Sequence, residues 1–261
     1  MPLPRTVIVG DVHGCFVELT ELLDALLFDP EKDRLVFVGD LVGKGPDTLK
    51  VLQLALEMNA LCVRGNHEDV FVQYYRSEVA KEVGAPSPKI NEGYLKIVES
   101  LTPDQWKYLI EMPLFLRLED MNAIIVHAGL VPGVPEDQQV PIHPPSVFSV
   151  AKEGLTEVQD PDMMMNLRNV LPDGSGTKEI GLGKAWIDTW NGPETVFFGH
   201  DAVRGLQLRR DSSHRLIAVG LDTGACYGKF LTAYVHPTGT IVQQPSHEVY
   251  SVPTLSLNYS L

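Results

Sequence analysis

Five short apolar runs, each followed by a metal-binding side chain beside a glycine, restrict this chain to folds that bring loops from several strands to one crevice. The runs occupy residues 6–9, 35–38, 61–63, 123–126 and 195–198. The motifs after them read Gly10-Asp11-Val12-His13-Gly14, Gly39-Asp40, Gly65-Asn66-His67-Glu68, His127-Ala128-Gly129 and Gly199-His200. Each ligand-type residue therefore falls just past the carboxyl end of a strand, where a sheet can aim side chains into a common site. A neighbouring glycine lets the backbone turn sharply and approach an ion closely. One such motif would mean little, but five in series are hard to explain as packing.

The first third of the chain alternates strand and helix. Phe16, Leu19, Leu22, Leu23, Leu26 and Leu27 form a helical stripe within residues 15–28. Pro46 suits the first turn of a second helix reaching about residue 59. A third helix is expected to follow Glu68 and to fade near Gly84, where a Pro-rich loop, 84–88, begins. Thr102-Pro103-Asp104-Gln105 reads as a capping box opening a short helix that ends near Met112. Residues 114–119 and 123–127 read as strands, 132–145 as a Pro-rich loop, and 162–169 as a helix followed by a Gly-rich loop. Residues 206–210, 216–221, 230–236 and 240–244 read as successive strands of one meander. This order predicts two sheets face to face with helices outside, in a single domain spanning 1–261.

The 44% hydrophobic and 21% charged content suits a globular core. A net charge of −13 argues against non-specific binding to nucleic acid or to an anionic membrane. It does not exclude a phosphate substrate, because bound cations reverse the sign locally. The three cysteines, Cys15, Cys62 and Cys226, are too scattered for a disulfide framework and point to a reducing compartment, the cytoplasm. The opening residues lead directly into the first strand, which predicts no secretory leader, and no apolar run is long enough for a bilayer span.

The motif residues supply the donors of a two-metal site. Asp11 and His13, one residue apart, would share a face on an extended strand end and bind one ion together. The two carboxylate oxygens of Asp40 can bridge two ions, while Asn66, His127 and His200 offer neutral ligands to the second. This mixed shell suits Mn²⁺, Fe²⁺ or Zn²⁺ better than Mg²⁺ alone and does not rank them. Mn²⁺ is the expected pair, with Fe²⁺, Zn²⁺ or Co²⁺ as alternatives. Two ions about 3.5–4 Å apart lower the pKa of a shared water and clamp a phosphoryl group for in-line attack by hydroxide. His67, next to Asn66, can protonate the leaving oxygen. Lys44 can hold a phosphate as a point charge, and Arg168 can clamp it with a guanidinium fork. His143, His214, His236 and His247 read as packing or surface residues. Glu68 is expected only to cap or orient. Gly43-Lys44-Gly45 does not complete a Walker loop.

Together the motifs resemble those of the calcineurin-like metallophosphoesterases, in the branch related to protein serine/threonine phosphatases. Gly39-Asp40-Leu41-Val42-Gly43-Lys44-Gly45-Pro46 and Leu221-Asp222-Thr223-Gly224-Ala225-Cys226-Tyr227-Gly228 are similar to segments of the ApaH-type diadenosine tetraphosphatases and their ApaH-like relatives. The resemblance implies an α/β four-layer αββα sandwich of two mixed sheets. It implies one metal on Asp11, His13 and Asp40, and another on Asp40, Asn66, His127 and His200. It also implies His67 as general acid, with Asn66, Lys44 and Arg168 on phosphate.

One departure bears on substrate. Protein phosphatases carry a second Asp in the Gly-Asp-x-Val-Asp-Arg-Gly motif, where it supports the catalytic histidine. Gly43 stands at that position here, and Lys44 replaces the Arg. A histidine without a carboxylate partner is a weaker proton donor, which matters least for an acidic leaving group. The expected reaction is therefore phosphoanhydride hydrolysis, first of all diadenosine tetraphosphate to two ADP. Phosphoprotein, inorganic polyphosphate or a capped RNA end are alternative substrates, and an inactive phosphatase-fold scaffold is the non-enzymatic alternative. Substrate choice is expected in loops 84–89, 132–145 and 172–183.

Overall fold

The computed structural model describes residues 5–85, 87–132 and 159–253. Its first three strands, β1 (Arg5–Val9), β2 (Asp33–Phe37) and β3 (Leu61–Cys62), run parallel and are connected by α1 (Phe16–Ala25) and α2 (Thr48–Glu57). Then come α3 (Asn66–Tyr74), a π-helical turn (Tyr75–Val79), α4 (Glu92–Ser100) and α5 (Pro103–Glu111). The capping box is formed, with Thr102 Oγ1 accepting from the Gln105 amide and Gln105 Oε1 from the Thr102 amide. β4 (Phe115–Leu118) and β5 (Ala123–Val126) pair antiparallel. α6 (Pro161–Asn166) precedes three two-residue strands, β6 (Asn169–Val170), β7 (Gly176–Thr177) and β8 (Lys184–Ala185), which form a small sheet. β9 (Thr195–Phe198), β10 (Gln207–Arg210), β11 (Leu216–Gly220), β12 (Phe230–His236) and β13 (Thr240–Pro245) complete the order.

Two five-stranded mixed sheets result, ordered β13-β12-β1-β2-β3 and β10-β11-β9-β5-β4. The inner strands β1, β5, β9 and β11 are buried on both faces, which explains their unbroken apolar runs. In β1, Val7 and Val9 face a core covered by α1 to α5, while Ile8 enters a second core between the sheets. In β9, Phe197 enters that same middle core, and Val196 and Phe198 face a third, built with Met164, Leu167 and Trp186. This is the αββα sandwich. Its two outer layers are unequal: α1 to α5 cover one sheet, whereas α6, the small sheet and a 3₁₀ turn at Trp186–Asp188 lie on the other.

Several sequence expectations need correction. The last four long strands are not one meander, because β10 and β11 join one sheet and β12 and β13 the other. Alternating polarity identifies each strand but not its partner. The helix expected over 162–169 is α6, which Asp160 caps through the Asp162 amide at 2.9 Å and which stops at Asn166. Asn169 already belongs to β6, and the Gly-rich stretch after it carries β7 and β8. α2 starts at Thr48, two residues after Pro46. α4 was not anticipated, although Asn91 caps it by accepting from the Tyr94 amide at 2.8 Å. Residues 133–145 of the expected Pro-rich loop, His143 among them, lie outside the described residues.

Arg5 ties the start of this framework together. Its Nε donates to Asp33 Oδ1 at 3.0 Å, and its Nη atoms donate to the carbonyls of Leu26 and Leu27. Burial pushes the Asp33 carboxyl up, but the Arg5 hydrogen bond, the Asp29 amide and the Arg5 charge outweigh it and hold the group below its ordinary value. A depressed folded pKa stabilises the protein above the unfolded value of about 4 and loses that contribution as pH falls through the folded value. Melting curves of wild type and Asp33→Asn should therefore be separated at neutral pH and converge in acid. Curves that stay parallel would show that the pair contributes nothing to acid stability.

Candidate metal centre and phosphate-binding groups

All five motif loops leave parallel strands at their carboxyl ends: β1, β2 and β3 in one sheet, β5 and β9 in the other. The loops turn at once, and the backbone bears the cost. His13, Asp40 and His200 adopt positive φ angles of 47°, 51° and 65°. Such left-handed residues are uncommon without glycine and concentrate where a site over-determines the backbone. Asp11 and His13 are thus not successive same-face residues of an extended strand, because β1 ends at Val9 and His13 sits in a turn.

The side chains nevertheless converge, and Asp40 stands at their centre. Its Oδ2 lies 3.4 Å from His13 Nε2, 3.5 Å from His127 Nε2 and 3.9 Å from His67 Nε2. Two groups of ligating atoms mutually within 4.8 Å follow: His13, Asp40 and His67, and Asp11, Asp40 and His127. Asn66 Oδ1 lies 3.0 Å from His127 Nε2 and 3.1 Å from His200 Nδ1. The glycines make room for this crowding. A Cβ at Gly199 would lie 1.9 Å from Asp11 Oδ1, and one at Gly65 would lie 2.2 Å from Asp40 Oδ1. Each therefore accommodates the acid of a different motif.

The imidazoles are oriented from behind. His13 Nδ1 donates to the Val42 carbonyl at 3.1 Å and His127 Nδ1 to that of Val38 at 2.9 Å, turning both Nε2 atoms inward. With Nδ1 so engaged, a neutral His127 opposes its Nε2 lone pair to the Asn66 oxygen. Such a cluster of acceptors is stable only with positive charge between them. The acids say the same. Burial, Asp222 and Asp40 push Asp11 well above the usual carboxylate range, and burial also raises Asp222, which hydrogen-bonds Asp11. Burial opposes ionisation of Asp40 too, but His127 and His67 hold it well below its ordinary value. Burial and Lys44 push His13 well down, and burial, His127 and Arg168 do so for His200, leaving lone pairs to donate. Burial opposes a charge on His127 too, but Asp40 outweighs it and holds that imidazole above its ordinary value. Buried carboxyl groups in excess, the neutral imidazoles of His13 and His200 and converging ligand atoms fit divalent cations.

Glu68 has a larger part than its sequence position suggests. Fully buried, its carboxylate accepts from the amides of Asp40 at 2.8 Å, Val42 at 3.0 Å and Gly65 at 2.9 Å. It thereby joins two motif loops. Burial and Asp40 push it up to about 7. Asp222 was likewise visible only as part of a family motif. Its signal was a carboxylate directly after the apolar run that forms β11.

The phosphate-binding candidates surround this centre. Lys44 Nζ lies 2.8 Å from His13 Nε2 and 5.2 Å from the centroid of the Tyr227 ring. Burial opposes its charge, but Asp40, Cys226 and Tyr227 together outweigh this and keep its pKa raised. Arg168 donates to Asp201 Oδ1 at 3.1 Å, and Arg204 pairs with the other oxygen of the same carboxylate. Asp201, next to His200, thus holds two guanidinium groups, of which only Arg168 was expected from sequence. His67 is more open than His13, His127 and Asp40, with 19% of its side chain exposed. Burial pushes it down to about 4 against the pull of Asp40.

Comparison with known proteins identifies the family. The calcineurin-like phosphoesterase family matches residues 4–204. The symmetrical bis(5'-nucleosyl)-tetraphosphatase of Coxiella burnetii strain CbuG_Q212 is 38% identical over 96% of this chain and 92% of its own length. The asymmetrical bis(5'-nucleosyl)-tetraphosphatase PrpE of Halalkalibacterium halodurans is 30% identical over 92% of this chain and 94% of its own. A crystal structure assigned provisionally as a diadenosine tetraphosphatase is similar with a TM-score of 0.73 at 33% identity, covering 93% of this chain and 94% of that one. A serine/threonine phosphatase from Saccharomyces cerevisiae, at 15% identity and a TM-score of 0.53 over 97% of this chain and 82% of its own, shares the fold. Motifs, sandwich and relatives agree that this chain belongs to the calcineurin-like phosphoesterase family and is a hydrolase of phosphate esters or anhydrides.

Proposed function

We propose that the protein hydrolyses a phosphoanhydride of a dinucleoside tetraphosphate, cutting it symmetrically into two nucleoside diphosphates. The observation that carries this reading is the meeting of two ligand groups on Asp40. Asp11, His13, Asp40, Asn66, His127 and His200 would hold two divalent ions, Mn²⁺ first among them, with Asp40 common to both. Ions bound there supply Lewis-acid polarisation of phosphoryl oxygens and a solvent nucleophile at neutral pH.

The chain's own groups perform the remaining tasks. Lys44 and Arg168 neutralise and orient the phosphate, and Asp201 restrains the guanidinium of Arg168 before substrate arrives. The Asn66 amide lies beside the same phosphate. His67 faces the leaving oxygen with Nε2. Gly43 leaves its Nδ1 without a carboxylate partner, which favours a nucleoside diphosphate over a serine alkoxide as leaving group.

The test is a panel of diadenosine tetraphosphate, a phosphoserine peptide, long-chain polyphosphate and a cap analogue, assayed with Mn²⁺, Co²⁺, Zn²⁺ and Mg²⁺. The dinucleotide should give the highest kcat/KM, with ADP as the nucleotide product. A preference for the phosphopeptide would sink the anhydride reading. Release of a tri- and a mono-phosphate would overturn only the symmetrical cut, which is where the two named relatives differ. Protein that binds no divalent metal and hydrolyses nothing would be a scaffold.

A further inference from the structure

With glycine where related protein phosphatases have aspartate, His67 Nδ1 takes its partner from elsewhere in the fold. The Tyr94 hydroxyl, delivered by α4, is hydrogen-bonded to it. The phenol is held from two sides. Its backbone amide is fixed by the Asn91 cap at 2.8 Å, and its ring packs edge-on against Phe71 with centroids 5.2 Å apart. Gly43 completes the arrangement. A Cβ there would lie 2.2 Å from Tyr94 Oη and 2.6 Å from its Cζ. A side chain at position 43 and the Tyr94 phenol therefore compete for one space. On the opposite edge of the imidazole, Nε2 faces Asp40 Oδ2 at 3.9 Å.

We propose that Tyr94 is a positioning residue for His67: its hydroxyl donates to Nδ1, holds the ring's proton on Nε2 and aims that N–H at the leaving oxygen. The proposal rests on the reading of His67 given above. A carboxylate only accepts, so an Asp partner demands Nδ1–H and stabilises an imidazolium. A phenol has a proton to give and no charge, and a donor at Nδ1 fixes the opposite tautomer. His67 then stabilises the departing phosphate oxygen with a hydrogen bond from a neutral N–H, and no proton need leave the ring. That suffices for a nucleoside diphosphate, which departs as a stable anion.

Tyr94→Phe keeps the ring against Phe71 and removes only the hydroxyl. On diadenosine tetraphosphate it should lower kcat about tenfold while KM stays within about twofold, the pattern of a contact that matters only in the transition state. In a His67→Asn background it should cost nothing further. An unchanged kcat in Tyr94→Phe beside a slow His67→Asn would overturn the proposal alone, as would losses that multiply in the double variant. A fully active His67→Asn would remove the reading beneath it as well. The wild-type protein supplies a second measurement, independent of how Tyr94→Phe folds. In ¹⁵N-histidine-labelled, zinc-loaded protein, the His67 signals, assigned by their loss in His67→Asn, should show a protonated Nε2 and a bare Nδ1. A proton on Nδ1 with a bare Nε2 would refute the assignment.

Discussion

Asp40→Asn should reduce turnover by about a thousandfold or more, the loss of about 4 kcal/mol of transition-state stabilisation. Asp40 Oδ2 is the atom approached by His13, His127 and His67, so the change removes charge from both ligand groups at once. Asn keeps an oxygen to accept from the His67 amide, which donates to Asp40 Oδ1 at 3.1 Å, so the loop should retain its shape. The metal-free variant should melt close to metal-free wild type. The rise in Tm that Mn²⁺ produces in the wild type should largely disappear, because a ligand stabilises only in proportion to its affinity for the native state. Metal analysis and melting with and without a chelator would check this. A variant that binds metal at the wild-type ratio and retains activity would remove Asp40 from the centre of the site.

Glu68→Ala should produce the largest loss of stability among single changes near the site. It removes the acceptor of three amides, those of Asp40, Val42 and Gly65. Unpaired buried donors cost about 1–3 kcal/mol each, so about 3–6 kcal/mol is expected once water entering the cavity offsets part of the loss. Glu68→Gln should be milder. Its carbonyl oxygen, placed where Oε2 lies, can still accept from Asp40 and Gly65, while its NH₂ group meets the Val42 amide. Denaturant unfolding gives both values, and metal titration should show affinity falling in the same order, since these amides belong to the loops that carry Asp40 and Asn66. Equal stabilities for the two variants would show that the bonds matter less than the burial of the side chain.

The contrast between these two residues shows how much of the site can be read from the chain. Asp40 is identifiable from sequence because a carboxylate that follows a strand end and its glycine has little structural use and an evident chemical one. Glu68 looks like an ordinary first-turn acid of a helix, three residues after Gly65. Its second oxygen is directed to Val42, 26 positions away, and no local spacing reveals that. Tyr94 is more remote still. It lies on a helix whose start signal, Asn91, is a single residue, and its meeting with Gly43 depends on how α4 packs over α2 and α3. Arg204 reads as a surface charge until Asp201 is seen to hold it beside Arg168.

What the chain determines by itself is local. Apolar runs that end in glycine and a ligand define strands and the chemistry at their carboxyl ends, because side-chain type and backbone freedom are properties of a few consecutive residues. Only the tertiary structure decides which loops become neighbours. Strands β10 to β13 follow one another along the chain with short connections, yet two join each sheet. A strand's period states that it has two faces, and not which edge it pairs with. Sheet order is set by long-range closure of the two packed layers. Through that order Asp40 comes to be shared, Glu68 comes to bridge two loops, and Tyr94 comes to stand in the space that Gly43 leaves open.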